Sequence, residues 1–515
     1  MLLRLRRVSS VAFLLTTSNN SSISVKSYSA HSIARNRKRI LLRVPIPFSK
    51  TRLADTTGAK QRIYSAFRMS TSHKHDDNKN SIMTTIDGSQ GEGGGQILRN
   101  SMTYASILER PIRITNIRAN RTKPGLQAQH VAAIKLAADI GVGNLEGAEM
   151  GSVEVTYKPH AAKSVGDSDS GSGTETNTQQ GQQQPQVFEG RIKTAGSICL
   201  LLQAALPCAL LIHGKQSSTT TTIKLILTGG TNASMAPQYD YWERVFLPTL
   251  QRFFGWKSSS IINPKVLMRG YFPKGGGRVE VDVPVFPKRK EQSLLPFPPI
   301  QLTERGDVEH IQIRSFHAGK LPKHLAVKMS KAAKTYLHEH LQSLMDHITV
   351  EEEIVTEEKA VGSGLGILLV ARTSTGCLLG GSSLCSPKQK ADQAGIMAAK
   401  ELVDTLQDGG CVDEWMQDQL ILYMALAGGT STVLTGSLTL HTQTAILVAK
   451  QLVPGVMFDV QTLGEEEIHS SSSASSGSKK QKLSSSVQSA YGKDGRVSGK
   501  HLITCKGVGY VPEGY

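Results

Sequence analysis

The residues able to do chemistry are scattered widely along this chain. His441 stands in Ser437-Leu-Thr-Leu-His-Thr-Gln-Thr-Ala445, where a polar loop runs into an apolar, helix-spaced segment. A histidine there feels the positive end of the helix dipole, which disfavours imidazolium and keeps a ring nitrogen free as a nucleophile. The same helix start would help hold arriving phosphates. Capping or simple packing would place a histidine there equally well. The stretch Asp87-Gly-Ser-Gln-Gly-Glu-Gly-Gly-Gly-Gln-Ile-Leu-Arg99 packs five glycines, two carboxylates and an arginine into a turn that feeds a second helix. It lacks a Gly-Lys-Ser/Thr ending and the dinucleotide spacing, so neither familiar phosphate loop is present. Glu92 is either one carboxylate of a hard cation shared with nucleotide phosphates or a first-turn acid complementing the dipole. Arg99, seven residues on, lies two turns along the same face as a phosphate contact or a salt-bridge partner.

Arg118-Ala-Asn-Arg121-Thr-Lys123 puts three cations in a loop between a strand and a helix, with Gln129 and His130 on that helix's first turn. Arginines in such a patch grip phosphate oxygens bidentately; the alternative is an ordinary solvated loop. Tyr271, Trp415 ahead of Asp418 and Gln419, and Met235 with Pro237 offer surfaces for sandwiching a base. Taken singly, each also fits a core aromatic or a turn.

The elements that must position these residues repeat one plan from Thr84 onward: helix, strand, helix, strand pair. The first unit has a helix after Gly95, the strand Ile112–Arg118, a helix from Leu126 to Ile140 and a strand Ser152–Tyr157. The second has a helix from Ile198 to Leu206, the strand Thr222–Thr228, a helix from Tyr239 to Phe254, and strands near Lys265–Arg269 and Arg278–Val285. The third has helices Trp415–Leu426 and Thr442–Leu452 with strands at Ser431–Thr435, Val456–Thr462 and His501–Cys505. Between units two and three, a Pro-rich linker leads to a strand, helix, strand, strand, helix pattern over 308–406, an inserted smaller α/β domain. Gly362–Gly366 within it reads as a hairpin turn. Segments 164–186 and 470–495 are Ser-, Gly-, Gln- or Lys-rich and read as flexible insertions. The expected organisation is a leader over 1–83, a large domain over 84–307 and 407–515, and the small domain between.

At 515 residues, 39% hydrophobic and 20% charged, the chain has the composition of a soluble globular protein with a large core. Its +17 net charge is uneven: residues 1–68 hold fourteen Lys and Arg against Asp55, which is +13 and leaves about +4 for the rest. Any RNA site is therefore a local patch. The Arg- and Ser-rich leader has the composition of a transit peptide to a mitochondrion or plastid. A start at Met69 would instead leave the protein in the nucleus or cytosol. The run Ile198–Ile212, interrupted by Gln203 and Pro207, is too short to span a membrane. Six cysteines without CxxC spacing read as reduced structural thiols.

Taken together, the segments Asp87–Arg99, Ile117–Leu126, Gln129-His130, Ala195-Gly-Ser197, Gly229-Gly-Thr231, Arg269–Gly277, Asp418-Gln-Leu and Met424-Ala-Leu-Ala-Gly428 closely resemble the RNA 3′-terminal phosphate cyclases. The likeness runs from about Thr84 to Tyr515, outside the leader and the two insertions. It implies an α/β (α+β) fold, a large domain of three βαβαββ-type repeats with a smaller inserted α/β domain. It also implies a reaction: ATP adenylates a histidine, AMP passes to an RNA 3′-phosphate, and the 2′-OH closes a 2′,3′-cyclic phosphate. By position, His441 matches the nucleophile and Glu92 the carboxylate for Mg²⁺ or Mn²⁺. Arg99, Arg118, Arg121, Gln129 and His130 match contacts to the RNA phosphate. Gln96, Pro237, Tyr271, Trp415, Asp418 and Gln419 match the ATP/AMP side, although Trp415 stands where the family pattern has tyrosine, which leaves stacking but no hydroxyl. RNA with a 3′-phosphate end and ATP are the implied partners, with no membrane. A non-catalytic RNA-binding relative acting in ribosome assembly would share the fold but lack the nucleophile. A transferase of the enolpyruvyl type would lack the Arg118–Lys123 and His441 motifs.

Overall fold

The computed structural model describes residues 83–160, 185–211, 222–254, 262–284, 297–463 and 495–511. Apart from Met83, Pro185, Gln186 and Gly495, the expected leader and both low-complexity insertions lie outside the described residues, and Gln186 already opens a strand. The first repeat consists of β1 (Thr84–Asp87), α1 (Gly95–Ile107), β2 (Ile112–Thr115), α2 (Ala128–Ile140), β3 (Gly143–Glu146) and β4 (Val155–Pro159). The second consists of β5 (Gln186–Arg191), α3 (Ile198–Leu211), β6 (Thr222–Gly229), α4, β7 (Asn263–Gly270) and β8 (Gly277–Pro284). Helix α4 runs through Tyr239–Tyr241, a π-turn at Trp242–Phe246 and Leu247–Phe254.

The third repeat opens with β9 (Gln301–Leu302) and is then interrupted by β10 (Val308–Ala318), α5 (Lys323–His340), β11 (Thr349–Glu357), β12 (Ala360–Val361), β13 (Gly364–Thr373), β14 (Leu378–Leu384) and α6 (Ala391–Asp408). It resumes with α7 (Glu414–Leu426), β15 (Gly428–Thr435), α8 (Leu440–Leu452), β16 (Met457–Leu463) and β17 (Lys500–Val508). In every repeat the first two strands pair in parallel, the second pairs antiparallel with the fourth, and the fourth pairs antiparallel with the third. The parallel pair needs a helical crossover, which is why a helix follows each leading strand.

The leading strands β1, β5 and β9 are the main addition to the pattern read from the sequence. They are short, and β1 and β9 carry little apolar alternation. Strand β2 stops at Thr115 rather than Arg118, because Asn116 (φ 51°) and Arg118 (φ 56°) turn through the left-handed region and lead the chain off the sheet. Helix α3 continues past Pro207 to Leu211; it is apolar all round and buried, so tertiary packing overrides the local penalty of an internal proline. Gly362–Gly366 does not close a hairpin. Strand β12 leaves the inserted segment to pair with β7 of the second repeat, and β13 then returns beside β10.

One core draws on all three repeats, with α1 against α2, α3 and α8, and α7 against α8. The inserted segment has a sheet of order β11-β10-β13-β14 and a separate core between it and α5 and α6. Among the described residues no helix is long and apolar enough to cross a membrane. The six cysteines are all free thiols.

Candidate active site

The starts of α1, α7 and α8 come together around Gln96, Asp418 and His441. The glycine-rich loop reaches them through two left-handed residues, Gly91 (φ 57°) and Gly93 (φ 58°). A side chain at Gly91 would strike Thr444 of α8, whose hydroxyl accepts the Glu92 amide N–H at 2.9 Å. A Cβ at Gly94 would fall on the Glu92 carboxylate, and one at Gly95 on the His130 ring. Two functional side chains occupy the space these glycines leave open.

The N-cap of α1 is Gly94, which has no side chain to offer; Glu92 Oε1 accepts the Gln96 N–H instead, at 3.0 Å. Its other carboxylate oxygen pairs with Arg121, which also donates to the Glu92 carbonyl. Arg99 is buried, and its Nε donates to Gln203 Oε1 at 3.1 Å. Burial lowers its pKa, against the pull of Glu92 and Asp418. Arg118 donates to the Lys123 carbonyl at 3.3 Å, while its buried Nε has no partner among the described residues. An unanswered guanidinium N–H on a strained residue is a donor held ready for an anion.

His130 is buried, and its Nδ1 accepts the Gln127 N–H at 3.1 Å within the capping box of α2. Burial first, then Arg118 and Arg99, push it down to about 3. The ring is therefore neutral at pH 7 with its proton on Nε2, a hydrogen-bond donor beside Gly95. Gln129 packs against Gly196, at the turn that opens α3.

His441 is the second residue of α8, one position after the Thr439–Leu440 start, where the Thr439 hydroxyl accepts the Thr442 N–H. Its Nδ1 lies 2.8 Å from Gln96 Oε1, and Gln96 Nε2 donates to Asp418 Oδ2 at 2.7 Å. The side chain keeps an exposed face, yet desolvation of the rest lowers its pKa, with Arg99 and Arg121 lowering it further and Glu92 opposing. Asp418 is half-buried, and desolvation pushes it up to about 7, against Arg99.

The remaining candidates are placed differently. Trp415 donates its indole N–H to Glu401 Oε1 at 2.8 Å, and burial raises Glu401 to about 8. Gln419 donates to the Trp415 carbonyl and lines a small cavity with Asn100, Gln203, Phe246, Asp418 and Tyr423. Tyr271 is buried, with its ring stacked on Phe316 of β10 at 5.9 Å, which leaves no open face for a base; Phe272 next to it is exposed. Pro237 is buried too, while Met235 is exposed.

Gln203 and Thr444 join the site through Arg99 and the Glu92 N–H. The signal for Gln203 was visible as the polar interruption of an apolar helix; Thr444 had none. Among the described residues no set of three or more His, Cys, Asp or Glu side chains forms a cation cage. What the cluster offers is an anion pocket: three arginines, two neutral imidazoles and one carboxylate able to share a hard cation with phosphate oxygens.

The model of the RNA 3′-terminal phosphate cyclase family matches residues 90–460. A Dictyostelium discoideum protein named a probable RNA 3′-terminal phosphate cyclase is 35% identical over 83% of this chain and 83% of its own length. RNA 3′-terminal phosphate cyclases of Staphylothermus marinus and Drosophila melanogaster are 37% and 36% identical, over 72% and 73% of this chain and 92% of theirs. A match across all three repeats and the inserted segment leaves one assignment: the chain belongs to the RNA 3′-terminal phosphate cyclase family.

Proposed function

We propose that this protein converts an RNA 3′-terminal phosphate into a 2′,3′-cyclic phosphate at the expense of ATP, with His441 carrying AMP between the two substrates. The observation that supports this most directly is the state of His441: an imidazole disfavoured from protonation, at a helix start, facing Arg99 and Arg121. In the first step Nε2 attacks the α-phosphorus, the P–N bond forms, and pyrophosphate leaves with the electron pair of the P–O bond. Arg99, Arg118 and Arg121 balance the charge gathering on the equatorial oxygens. In the second step an oxygen of the RNA 3′-phosphate takes the adenylyl group, and the pair returns to Nε2. In the third the 2′-OH attacks the activated 3′-phosphorus, loses its proton and expels AMP. That ring closure is intramolecular, so proximity supplies much of the rate.

Glu92 is the residue that would hold Mg²⁺. Its position suits a single-carboxylate site, since a hard cation bound with phosphates needs only one or two protein carboxylates. The ion would supply further neutralisation of phosphate charge. Arg121, paired with Glu92, would have to exchange that contact for phosphate oxygens. His130, neutral and donating from Nε2, suits recognition of a phosphate without competing for its proton.

The test is incubation with α-labelled ATP and Mg²⁺. An acid-labile protein–AMP adduct is expected on the wild type and not on His441→Ala. RNA ending in a 3′-phosphate should then become phosphatase-resistant, and RNA ending in a 3′-OH should not react. Equal labelling of His441→Ala would remove the histidine from the reaction.

A further inference from the structure

Neutral imidazole has one N–H, and which nitrogen carries it decides which can attack. Gln96 Oε1 lies 2.8 Å from His441 Nδ1, and a carbonyl oxygen can only accept, so the proton sits on Nδ1. The amide is oriented by its other end: Nε2 donates to Asp418 Oδ2 at 2.7 Å. Flipped, it would set an oxygen against the carboxylate and an N–H₂ against Nδ1, which would then have to accept and would drive the proton to Nε2. Gln96 is 2% exposed and its own backbone N–H is tied to Glu92, which leaves the side chain little room to move.

We propose that Asp418 and Gln96 are positioning residues that hold the Nδ1–H tautomer of His441, a role distinct from contact with the nucleotide. The inference rests on His441 being the nucleophile of the reaction above. The relay has two consequences. Nε2 is left with its lone pair free, and no proton needs to leave before it attacks. Once adenylylated at Nε2, the ring still carries Nδ1–H and is a cation, so it departs from phosphorus as neutral imidazole without collecting another proton. The amide also separates the Asp418 charge from the ring. A carboxylate in direct contact with Nδ1 would raise the basicity of His441 and favour the form that cannot attack. The glutamine transmits orientation and withholds most of the charge. The three residues come from the first turns of α1 and α8 and the second turn of α7, so repeat one and repeat three must both be in place for the tautomer to be set.

The experiment combines histidine ¹⁵N spectroscopy with single-turnover adenylylation on the full chain. Long-range ¹H–¹⁵N spectra of histidine-labelled protein at pH 8, with His441 assigned from its loss in His441→Ala, should show Nδ1 protonated and Nε2 unprotonated. In Asp418→Asn the amide is free to flip, so the Nε2–H form should appear and adenylylation should slow by up to roughly 10⁴-fold, the loss of a fully misdirected tautomer. The Kd for ATP should stay within about threefold, since only the orientation behind the ring has changed. Gln96→Glu should instead shift the acid limb of the rate profile to higher pH. Gln96→Met removes the acceptor and serves as the second test, with the same loss of rate and a mixed tautomer. An Nε2–H tautomer in the wild type would overturn the proposal, as would an unchanged tautomer in both Asp418→Asn and Gln96→Met. So would a loss of rate matched by an equal loss of ATP affinity. If the wild type takes no label from ATP, the proposed reaction fails, while the spectra still report whether the relay sets the tautomer.

Discussion

Among the described residues, two clusters of charge are built on opposite plans. At the junction of the second repeat with the inserted segment, Asp240 accepts from Arg269 at 3.1 and 2.8 Å and from Asn232 at 3.0 Å. Glu357 meets Arg269 at 3.0 Å and Arg314 at 3.2 Å. Burial pushes the Asp240 carboxyl up, but Arg269 and Arg314 overcome it and hold it below its ordinary value. Here charges answer one another. Around His441 the cations exceed their partners: Arg99, Arg118 and Arg121 face only Glu92 and Asp418, and His130 is driven down to about 3. The first cluster is closed and holds two parts together. The second carries an excess of positive field that only an arriving polyanion would relieve.

The sharpest way to break this contrast is to delete one arginine from each. Arg269→Met leaves buried Asp240 and half-buried Glu357 with too little positive charge, so the fold should lose about 3–5 kcal/mol by denaturant titration. Arg118→Gln should leave stability within about 1 kcal/mol, because it gives up one long 3.3 Å contact to the Lys123 carbonyl, and slow cyclisation by roughly 10²–10³. If Arg118→Gln unfolds the protein, or Arg269→Met leaves its stability intact, the two clusters are not of different kinds.

The difference also explains what could be read in advance. The repeats were legible because their helices and longer strands carry strong periodicity: α3 is apolar all round, and β6 and β8 alternate. Strands β1 and β9 were not, because the chain there is placed by pairing with β2 and β15 rather than by its own pattern. The interruption of repeat three between β9 and α7 follows only from that pairing. In the site, cations and glycines showed themselves as local clusters. The Gln96–His441 contact spans 345 positions, and no spacing rule reaches across it. Tyr271 and Pro237 looked like open surfaces beside turns, but the inserted segment packs on Tyr271 and buries it.

A smaller effect should separate the clusters by pH. His130 is neutral in the fold down to about 3, while an unfolded histidine takes a proton near 6.5. Between those values the unfolded chain binds more protons, so stability falls as pH falls, by up to about 1.4 kcal/mol per unit. Above pH 6.5 this group adds no slope. Replacing His130 by Gln should flatten the pH dependence of the denaturation free energy in that window alone. An unchanged slope would mean that His130 is protonated in the fold, and that the field of Arg118 and Arg99 is answered after all.

The finest test asks whether the excess field reaches the nucleophile. Arg121 lowers the pKa of His441 and Glu92 raises it, both as additions to the larger effect of burial. Removing Arg121 as Arg121→Gln should therefore move the acid limb of adenylylation to higher pH, and Glu92→Gln should move it lower. The relative change at pH 6, measured against each variant's own plateau, should be less than roughly tenfold, because neither charge is the leading cause. Normalising to the plateau matters, since both side chains are also proposed to meet phosphate or metal, and that loss scales the whole curve without shifting it. Shifts of opposite sign would show that Arg121 and Glu92 tune His441 by opposing effects that nearly cancel. No shift in either variant would mean that burial and the Gln96 contact alone set the ring, and that the arginines act on the phosphates only.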